Sequence, residues 1–176
     1  MTIPKTKLII YMLFITIVLT VTFISFPKKI IINEEINIYK NGDPNFSKIS
    51  NIRVEGKYDK NFFKEDNFRG HISIEGVINP QGELYEVKFS DGIGYLVYDN
   101  PTKGLGYFET LGMIVIDRNF NELSILIYEL GDDSNYHISF ETYEFTCYPS
   151  ENRENSVNLL RELSKRDNWL SHLKVK

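Results

Sequence analysis

The chain has 176 residues, of which 42% are hydrophobic and 25% are charged, and its formal net charge is −4 at pH 7. This charge argues against a nucleic-acid partner, because phosphate binding needs clustered Lys and Arg side chains. The single cysteine excludes an internal disulfide. Once an apolar N-terminal segment is set aside, the remaining length suits one domain with a single core.

The N-terminal segment Leu8–Phe26, LIIYMLFITIVLTVTFISF, contains no charged residue and is followed by Pro27-Lys28-Lys29. As a helix rising about 1.5 Å per residue it would be about 28 Å long, close to the roughly 30 Å core of a bilayer. A secretion signal has a shorter apolar region and ends at a pair of small residues. We therefore predict that residues 1–29 form an uncleaved anchor with the lipid bilayer as its contact. A cleaved signal is the alternative.

The membrane orientation is predicted from the flanks of this segment. Lys5 and Lys7 precede it, whereas Lys28 and Lys29 follow it, so the positive-inside rule gives nearly a tie. The preceding tail is short, and long domains are translocated largely regardless of their charge. We expect a single-pass protein of the plasma membrane with an extracytoplasmic C-terminal domain.

Residues 30–48 are predicted to be a spacer, with a turn at Asn41–Pro44 and a peripheral strand through Glu35–Tyr39. A β-rich domain with a C-terminal helix is predicted over residues 49–176. Apolar residues alternate with polar ones in NIRVEGKY, FRGHISIEGV and ELYEVKFS, which is typical of half-buried strands. In the last of these, Tyr85, Val87 and Phe89 are expected to share the buried face.

Two later segments, LGMIVID and LSILIYEL, are nearly continuous apolar runs, which is typical of strands covered on both faces. We place them centrally in the sheet. The segment Tyr136–Tyr148 is interpreted as the last strand. Its apolar residues change parity halfway, which indicates either a bulge near Glu141-Thr142 or a strand covered on both faces.

After Pro149, Ser150 is predicted to cap an amphipathic helix that ends near Lys165-Arg166, with a buried stripe of Val157, Leu160 and Leu163. The links between strands are too short for parallel crossovers. The predicted fold is therefore α+β, with an antiparallel meander of about six to seven strands packed against the C-terminal helix. A single transmembrane helix precedes this domain.

No catalytic, cofactor-binding or metal-binding residue is predicted. His71, His137 and His172 are widely separated and belong to no metal-ligand motif. His137 and Cys147 lie about 33 Å apart on a straight strand, too far for nucleophile and base. The glycine pairs Gly92/Gly94 and Gly104/Gly106 lack the residues of a phosphate loop and are interpreted as turns.

Two sets of residues remain as candidates for function. Outward carboxylates on strands, Glu75, Glu86, Glu129 and Glu141, are the only basis for a hydrolase, and solvated strand charges explain them more simply. The aromatic residues Tyr95, Tyr98, Tyr107 and Phe108 surround a turn over residues 100–106. We predict that they form an interaction surface, with packing under the loop as the alternative.

Three segments carry a resemblance to other proteins: VEGKYDKNFFKEDNFRGHISIEG (Val54–Gly76), LGMIVIDRNF (Leu111–Phe120) and YPSENRENSVNLLREL (Tyr148–Leu163). In these the chain resembles an uncharacterised group of small membrane-anchored proteins from Bacillus-like Gram-positive bacteria. The resemblance implies an N-terminal spanning helix, a strand pair and a helix after a proline. It implies no activity, and it departs at Asn155 and Ser156, where the group often carries alanines.

Together these features predict a binding or regulatory module without catalytic activity at the outer face of a bacterial plasma membrane. Its expected partner is an envelope protein or peptide. Two alternatives are an envelope hydrolase that uses strand carboxylates and an accessory subunit of a membrane complex, for which the spanning helix would be the interface.

Overall fold

The computed structural model describes residues 7, 9–16, 27–61, 64–78, 82–130, 136–137, 143–165 and 170. The strands are β1 (Pro27–Lys40), β2 (Asp43–Asp59), β3 (Asp66–Ile74), β4 (Val87–Phe89), β5 (Ile93–Asp99), β6 (Phe108–Ile116), β7 (Leu123–Ile127), β8 (Glu129–Leu130), β9 (Tyr136–His137) and β10 (Glu144–Tyr148). A C-terminal helix spans Arg153–Ser164.

Eight strands form one antiparallel sheet in the order β4-β3-β2-β1-β10-β7-β6-β5, and β8 and β9 pair separately. The predicted α+β class, with an antiparallel sheet and a C-terminal helix, is confirmed. The predicted number of six to seven strands is wrong. The sheet is also not a simple meander, because β1 pairs with β10 across most of the chain.

Strand β1 occupies residues that the sequence analysis assigned to the anchor flank and the spacer. It pairs with β2 from Pro27↔Asp59 to Lys40↔Asp43, around a turn at Asn41-Gly42. Its alternate isoleucines are buried: Ile30, Ile32, Ile36 and Ile38. The interpretation of residues 30–48 as a spacer is therefore wrong, because four of its isoleucines contribute to the core while Asn33, Glu34 and Glu35 are exposed.

The two ends of the sheet meet. Strands β4 and β5 are joined by the turn Asp91-Gly92, and Ser90 and Ile93 exchange two backbone hydrogen bonds of 2.9 Å. Further along, the Tyr85 N–H donates to the Val97 carbonyl oxygen at 2.8 Å. The sheet thus curves round to enclose a core of buried apolar side chains. At one end of this core, Phe120 lies between Tyr58, Phe68 and Phe89, with ring centroids 5.2–6.0 Å apart.

Strand directions define two ends of the closed sheet. The entry end holds the start of β1, the end of β2 and the turn Asp91-Gly92. There, Lys28 Nζ donates to the Asn119 carbonyl oxygen at 2.7 Å and to Asn121 Oδ1 at 2.6 Å. The far end holds the turn between β1 and β2 and the loop over residues 100–107 that joins β5 to β6.

A second apolar cluster lies outside the closed sheet, under the C-terminal helix. It includes Met113 and Val115 of β6, Leu126 of β7, and Leu160 and Leu163 of the helix. Strands β6 and β7 are therefore covered on both faces, as their sequences predict. The prediction that these two strands are central in the sheet is wrong, because β7 and β6 are the sixth and seventh of its eight strands. In this cluster, burial raises the pKa of the Cys147 thiol to about 12.

The C-terminal helix begins later than predicted. Its N-cap is Asn152, whose Oδ1 accepts from the Asn155 N–H at 2.9 Å. Ser150, the predicted cap, instead donates to the Asn152 carbonyl oxygen at 3.0 Å and lies 2.6 Å from Ser156 Oγ. Both residue types favour the N-cap position, so the sequence did not distinguish them. Leu160 and Leu163 are buried as predicted, and Val157 is half-buried.

Several predictions fall on other parts of the chain. The segment interpreted as one strand over Tyr136–Tyr148 contains β9 and β10, which belong to different sheets. The predicted bulge near Glu141-Thr142 lies outside the described residues. Residues 9–16 are helical. Residues 17–26 of the predicted anchor also lie outside the described residues. Among the residues described, no helix has both the length and the apolar character needed to cross a membrane.

The close approach of β2 and β3 generates the first testable prediction. Gly56 and Gly70 are opposite each other in the register, and a Cβ at Gly70 would overlap the Glu55 carbonyl oxygen and lie 2.5 Å from Gly56 Cα. We expect Gly70→Ala to lower the free energy of unfolding by about 2–3 kcal/mol, because rigid backbone must move. His71→Ala, at an exposed neighbouring position, should change it by less than about 0.5 kcal/mol. Equal effects in urea unfolding would contradict this account.

Candidate binding surface

The loop over residues 100–107, the Asn100 loop, is ordered by its own hydrogen bonds. The side chain of Asn100 is buried, and its Oδ1 accepts from the Thr102 N–H at 3.1 Å and from Thr102 Oγ1 at 2.6 Å. Its Nδ2 donates to Glu109 Oε2 at 2.8 Å. The backbone N–H of Asn100 donates to the Tyr107 carbonyl oxygen at 2.8 Å. One asparagine therefore ties the two ends of the loop together.

An ion pair reinforces the same loop. Lys103 Nζ lies 2.6 Å from Glu109 Oε1 and 5.1 Å from the centroid of the Tyr107 ring. The hydrogen bond from Lys103 holds the pKa of the Glu109 carboxyl below its ordinary value. The stabilisation from this pair is therefore present at neutral pH and is lost as the pH falls through the lowered pKa of Glu109.

This ordered loop presents apolar side chains to solvent. Leu105 is fully exposed, Phe108 is 50% exposed and Tyr107 is 39% exposed. Tyr85, which is 62% exposed, contacts Phe108 edge-to-face with ring centroids 5.6 Å apart. Since large exposed apolar side chains gain nothing from the core, an ordered cluster of them is typical of a binding surface.

The structure separates the four predicted surface residues. Tyr107 and Phe108 belong to the cluster at the Asn100 loop, and Tyr95 is exposed further along β5, beside Tyr128. Tyr98 is not on the surface. Its ring is buried in the core, its hydroxyl donates to the Ile72 carbonyl oxygen at 2.6 Å, and burial raises its pKa.

The sequence analysis missed Tyr85 and Leu105. Tyr85 was placed on the buried face with Val87 and Phe89, and this is wrong because the segment changes partner. The backbone of Tyr85 bonds to β5, whereas Val87 and Phe89 pair with β3. Only a break in the alternation after Tyr85 would have indicated its exposure, and the sequence shows none. Leu105 stands between Gly104 and Gly106, whose φ angles of 121° and 76° favour glycine.

The outward carboxylates do not converge. Glu75 accepts from Asn51 Nδ2 at 2.9 Å, Glu86 lies 3.8 Å from Arg69, and Glu129 lies 3.1 Å from Lys40. Glu141 lies outside the described residues. Each of the three described carboxylates thus has a different neighbour, and none of them lines the large cleft described next.

A cleft of about 1110 Å³ opens at the entry end, with Tyr58, Phe89 and Ile116 among its lining residues. Its half-buried carboxylates already have partners. Asp66 accepts from the Tyr58 hydroxyl at 2.6 Å and from the Asn61 N–H at 2.7 Å. Asp117 accepts from three backbone N–H groups of the following turn. These carboxylates stabilise loops. Within the described ranges, no three His, Cys, Asp or Glu side chains are grouped to hold a metal ion.

The role of Asn100 can be tested by substitution. We expect Asn100→Ala to destabilise the protein by about 1–2 kcal/mol, because the Thr102 N–H loses its acceptor and Glu109 Oε2 loses the Asn100 donor, although Glu109 keeps its ion pair with Lys103. Amide hydrogen exchange at Thr102 and Tyr107 should become faster, whereas exchange at Ile114 in β6 should change only by the loss of global stability. Thr102→Ser, which keeps the hydroxyl, is the matched control. Unchanged exchange in the loop of Asn100→Ala would exclude this role.

The chain was compared with protein-family models, with curated proteins and with solved structures, and none of the three comparisons gives a match.

Proposed function

We propose that this chain is a non-enzymatic binding module that uses the Asn100 loop and the neighbouring Tyr85–Phe108 pair to contact another protein. Residues 8–26 tether it to the outer face of a bacterial plasma membrane, and its partner is an envelope protein or peptide. The resemblance to small membrane-anchored proteins and the apolar composition of Leu8–Phe26 support this location.

The observation that carries the proposal is the order of the Asn100 loop. Four polar interactions hold Asn100, Thr102, Lys103 and Glu109 together, while Leu105 and Phe108 face solvent. A loop held in place before binding loses little conformational entropy when a partner docks. Exposed aromatic anchors supply much of the binding energy in protein interfaces. The combination supports a contact site for a protein.

The position of the loop supports a protein partner over the bilayer. The tether would join the sheet at Pro27, at the entry end, whereas the loop is at the far end. Strand β5 alone, with seven residues, separates the two ends by about 23 Å at about 3.3 Å per residue. A domain tethered at its entry end therefore directs Leu105 and Phe108 away from the lipid.

Site-specific crosslinking tests this proposal. A photoreactive phenylalanine analogue at position 105 should form a defined crosslinked product in the producing cells. The same analogue at position 49 is the control, because Ile49 is exposed on the outer face of β2. Phe108→Ser should abolish the product at position 105 and weaken binding of the purified partner by at least about tenfold, without a change in thermal unfolding.

Equal crosslinking from positions 105 and 49, or a product unaffected by Phe108→Ser, would contradict the proposal. An Ile49→Ser variant keeps the comparison matched, because it also removes one large apolar side chain from the surface. It should bind the purified partner as the unsubstituted protein does.

The tether is tested separately. The full-length protein should stay with membranes after alkaline carbonate extraction, and protease added to intact protoplasts should degrade the domain. A variant lacking residues 1–26 should be soluble and folded, because β1 begins at Pro27 and the Lys28 contacts to Asn119 and Asn121 are kept. A mature chain that begins after Phe26 in mass spectrometry would identify a cleaved signal instead.

A further inference from the structure

Two carboxylates lie beside the exposed aromatic pair. Asp99 is directly opposite Phe108 in the register of β5 and β6, and its N–H donates to the Glu83 carbonyl oxygen at 3.0 Å. Because side chains alternate along β5 and Tyr98 points into the core, Asp99 points outward. Glu83, Asp99 and Phe108 therefore lie side by side on three neighbouring segments, which are residues 83–85, β5 and β6. Tyr85 lies two residues after Glu83 on the first segment.

Asp99 has an unusual environment among these residues. Its Oδ1 is shielded from solvent and has no hydrogen-bond partner in the part of the chain that the structure describes. Buried polar atoms nearly always have a partner. An ionised carboxylate is only an acceptor, so a partner for this oxygen is an N–H or O–H donor. Because Oδ1 is shielded, the Asp99 side chain has to turn before a donor from another protein can reach this oxygen.

The neighbouring rings select the kind of donor. Tyr85 and Phe108 meet edge-to-face at an interplanar angle of 75°, and both rings are at least half exposed beside the two carboxylates. Cations are attracted to aromatic faces and to carboxylates alike. The chain already uses the first of these interactions, with Lys103 over Tyr107 and Arg153 over Tyr39 at 5.1 and 5.5 Å from the ring centroids.

We propose that Glu83, Tyr85, Asp99 and Phe108, the acidic-aromatic patch, bind an arginine side chain of the partner protein. The inference rests on the proposed function and names the chemistry of the contact. Arginine fits better than lysine because a planar guanidinium can stack on a ring while donating two hydrogen bonds to a carboxylate. Leu105, on the adjoining loop, contacts an apolar residue next to that arginine.

The test uses full-length protein in detergent micelles and a blocked seven-residue peptide with one arginine between two leucines. Identical peptides carry lysine, citrulline or glutamate instead. In an NMR titration, the arginine peptide should shift the amide signals of Glu83, Tyr85, Asp99 and Phe108. The citrulline peptide, which keeps the shape without the charge, should bind at least tenfold more weakly, and the glutamate peptide should not bind.

Asp99→Asn and Glu83→Gln should each weaken binding of the arginine peptide by about tenfold, because each removes a charge-assisted contact. Asp91→Asn, an exposed carboxylate at the entry end, is the matched control and should change nothing. Thermal unfolding of each variant reports whether the fold is kept, and Glu83→Gln, at an exposed position, provides the test if Asp99→Asn unfolds.

Equal binding of the arginine and citrulline peptides, or signal changes elsewhere on the protein, would overturn the inference. The crosslink from position 105 separates this outcome from failure of the proposed function. If that crosslink depends on Phe108 but is unaffected by Glu83→Gln and Asp99→Asn, the module binds a protein through its apolar loop and the arginine contact is wrong.

Discussion

Strand β1 is the element on which the rest of the structure depends, because it joins the two halves of the sheet. On one side it pairs with β2 along its whole length, and on the other Ile38 and Tyr39 pair with Thr146 and Phe145. Thr146 Oγ1 adds a hydrogen bond of 2.9 Å to the Asn37 carbonyl oxygen. Without these contacts, β2–β4 and β5–β7 would be joined through the hairpin at Asp91-Gly92 and the pairing of residues 83–85 with β5, and the core would be open along one side.

Closure of the sheet also decides where binding can occur. The enclosed space is filled by large side chains, with Tyr58, Phe68 and Tyr98 among the fully buried ones. Asp66 and Asp117, which line the entry-end cleft, hold loops in place. The interactions that order the Asn100 loop are polar, and its apolar residues take no part in the core. Stability and binding therefore use different residues, which is why surface variants are expected to lose binding while remaining folded.

Sequence periodicity predicted most of the strands, the dual burial of β6 and β7, and the helix stripe of Leu160 and Leu163. It failed where a second constraint acts on the same residues. The apolar positions of β1 directly follow a longer apolar segment, so their alternation was attributed to a spacer. Tyr85 was assigned to the wrong face because hydrogen-bond partners, and not spacing alone, set which face a residue occupies. Residues 83–85 pair with β5, and from Val87 onward the chain pairs with β3. Tyr98 was assigned to the surface from its closeness to the turn, although it alternates with the exposed Tyr95 and is buried.

The predicted aromatic surface illustrates the same limit. Composition around the turn at residues 100–106 indicated a surface rich in tyrosine, and Tyr95, Tyr107 and Phe108 are indeed exposed. The sequence did not predict that the carboxylates of Glu83 and Asp99 are neighbours, because 16 positions separate them. They come together only because residues 83–85 pair with β5 and close the sheet. The pairing that encloses the core thus also places two negative charges next to exposed rings, and the chemistry of that patch follows from the topology.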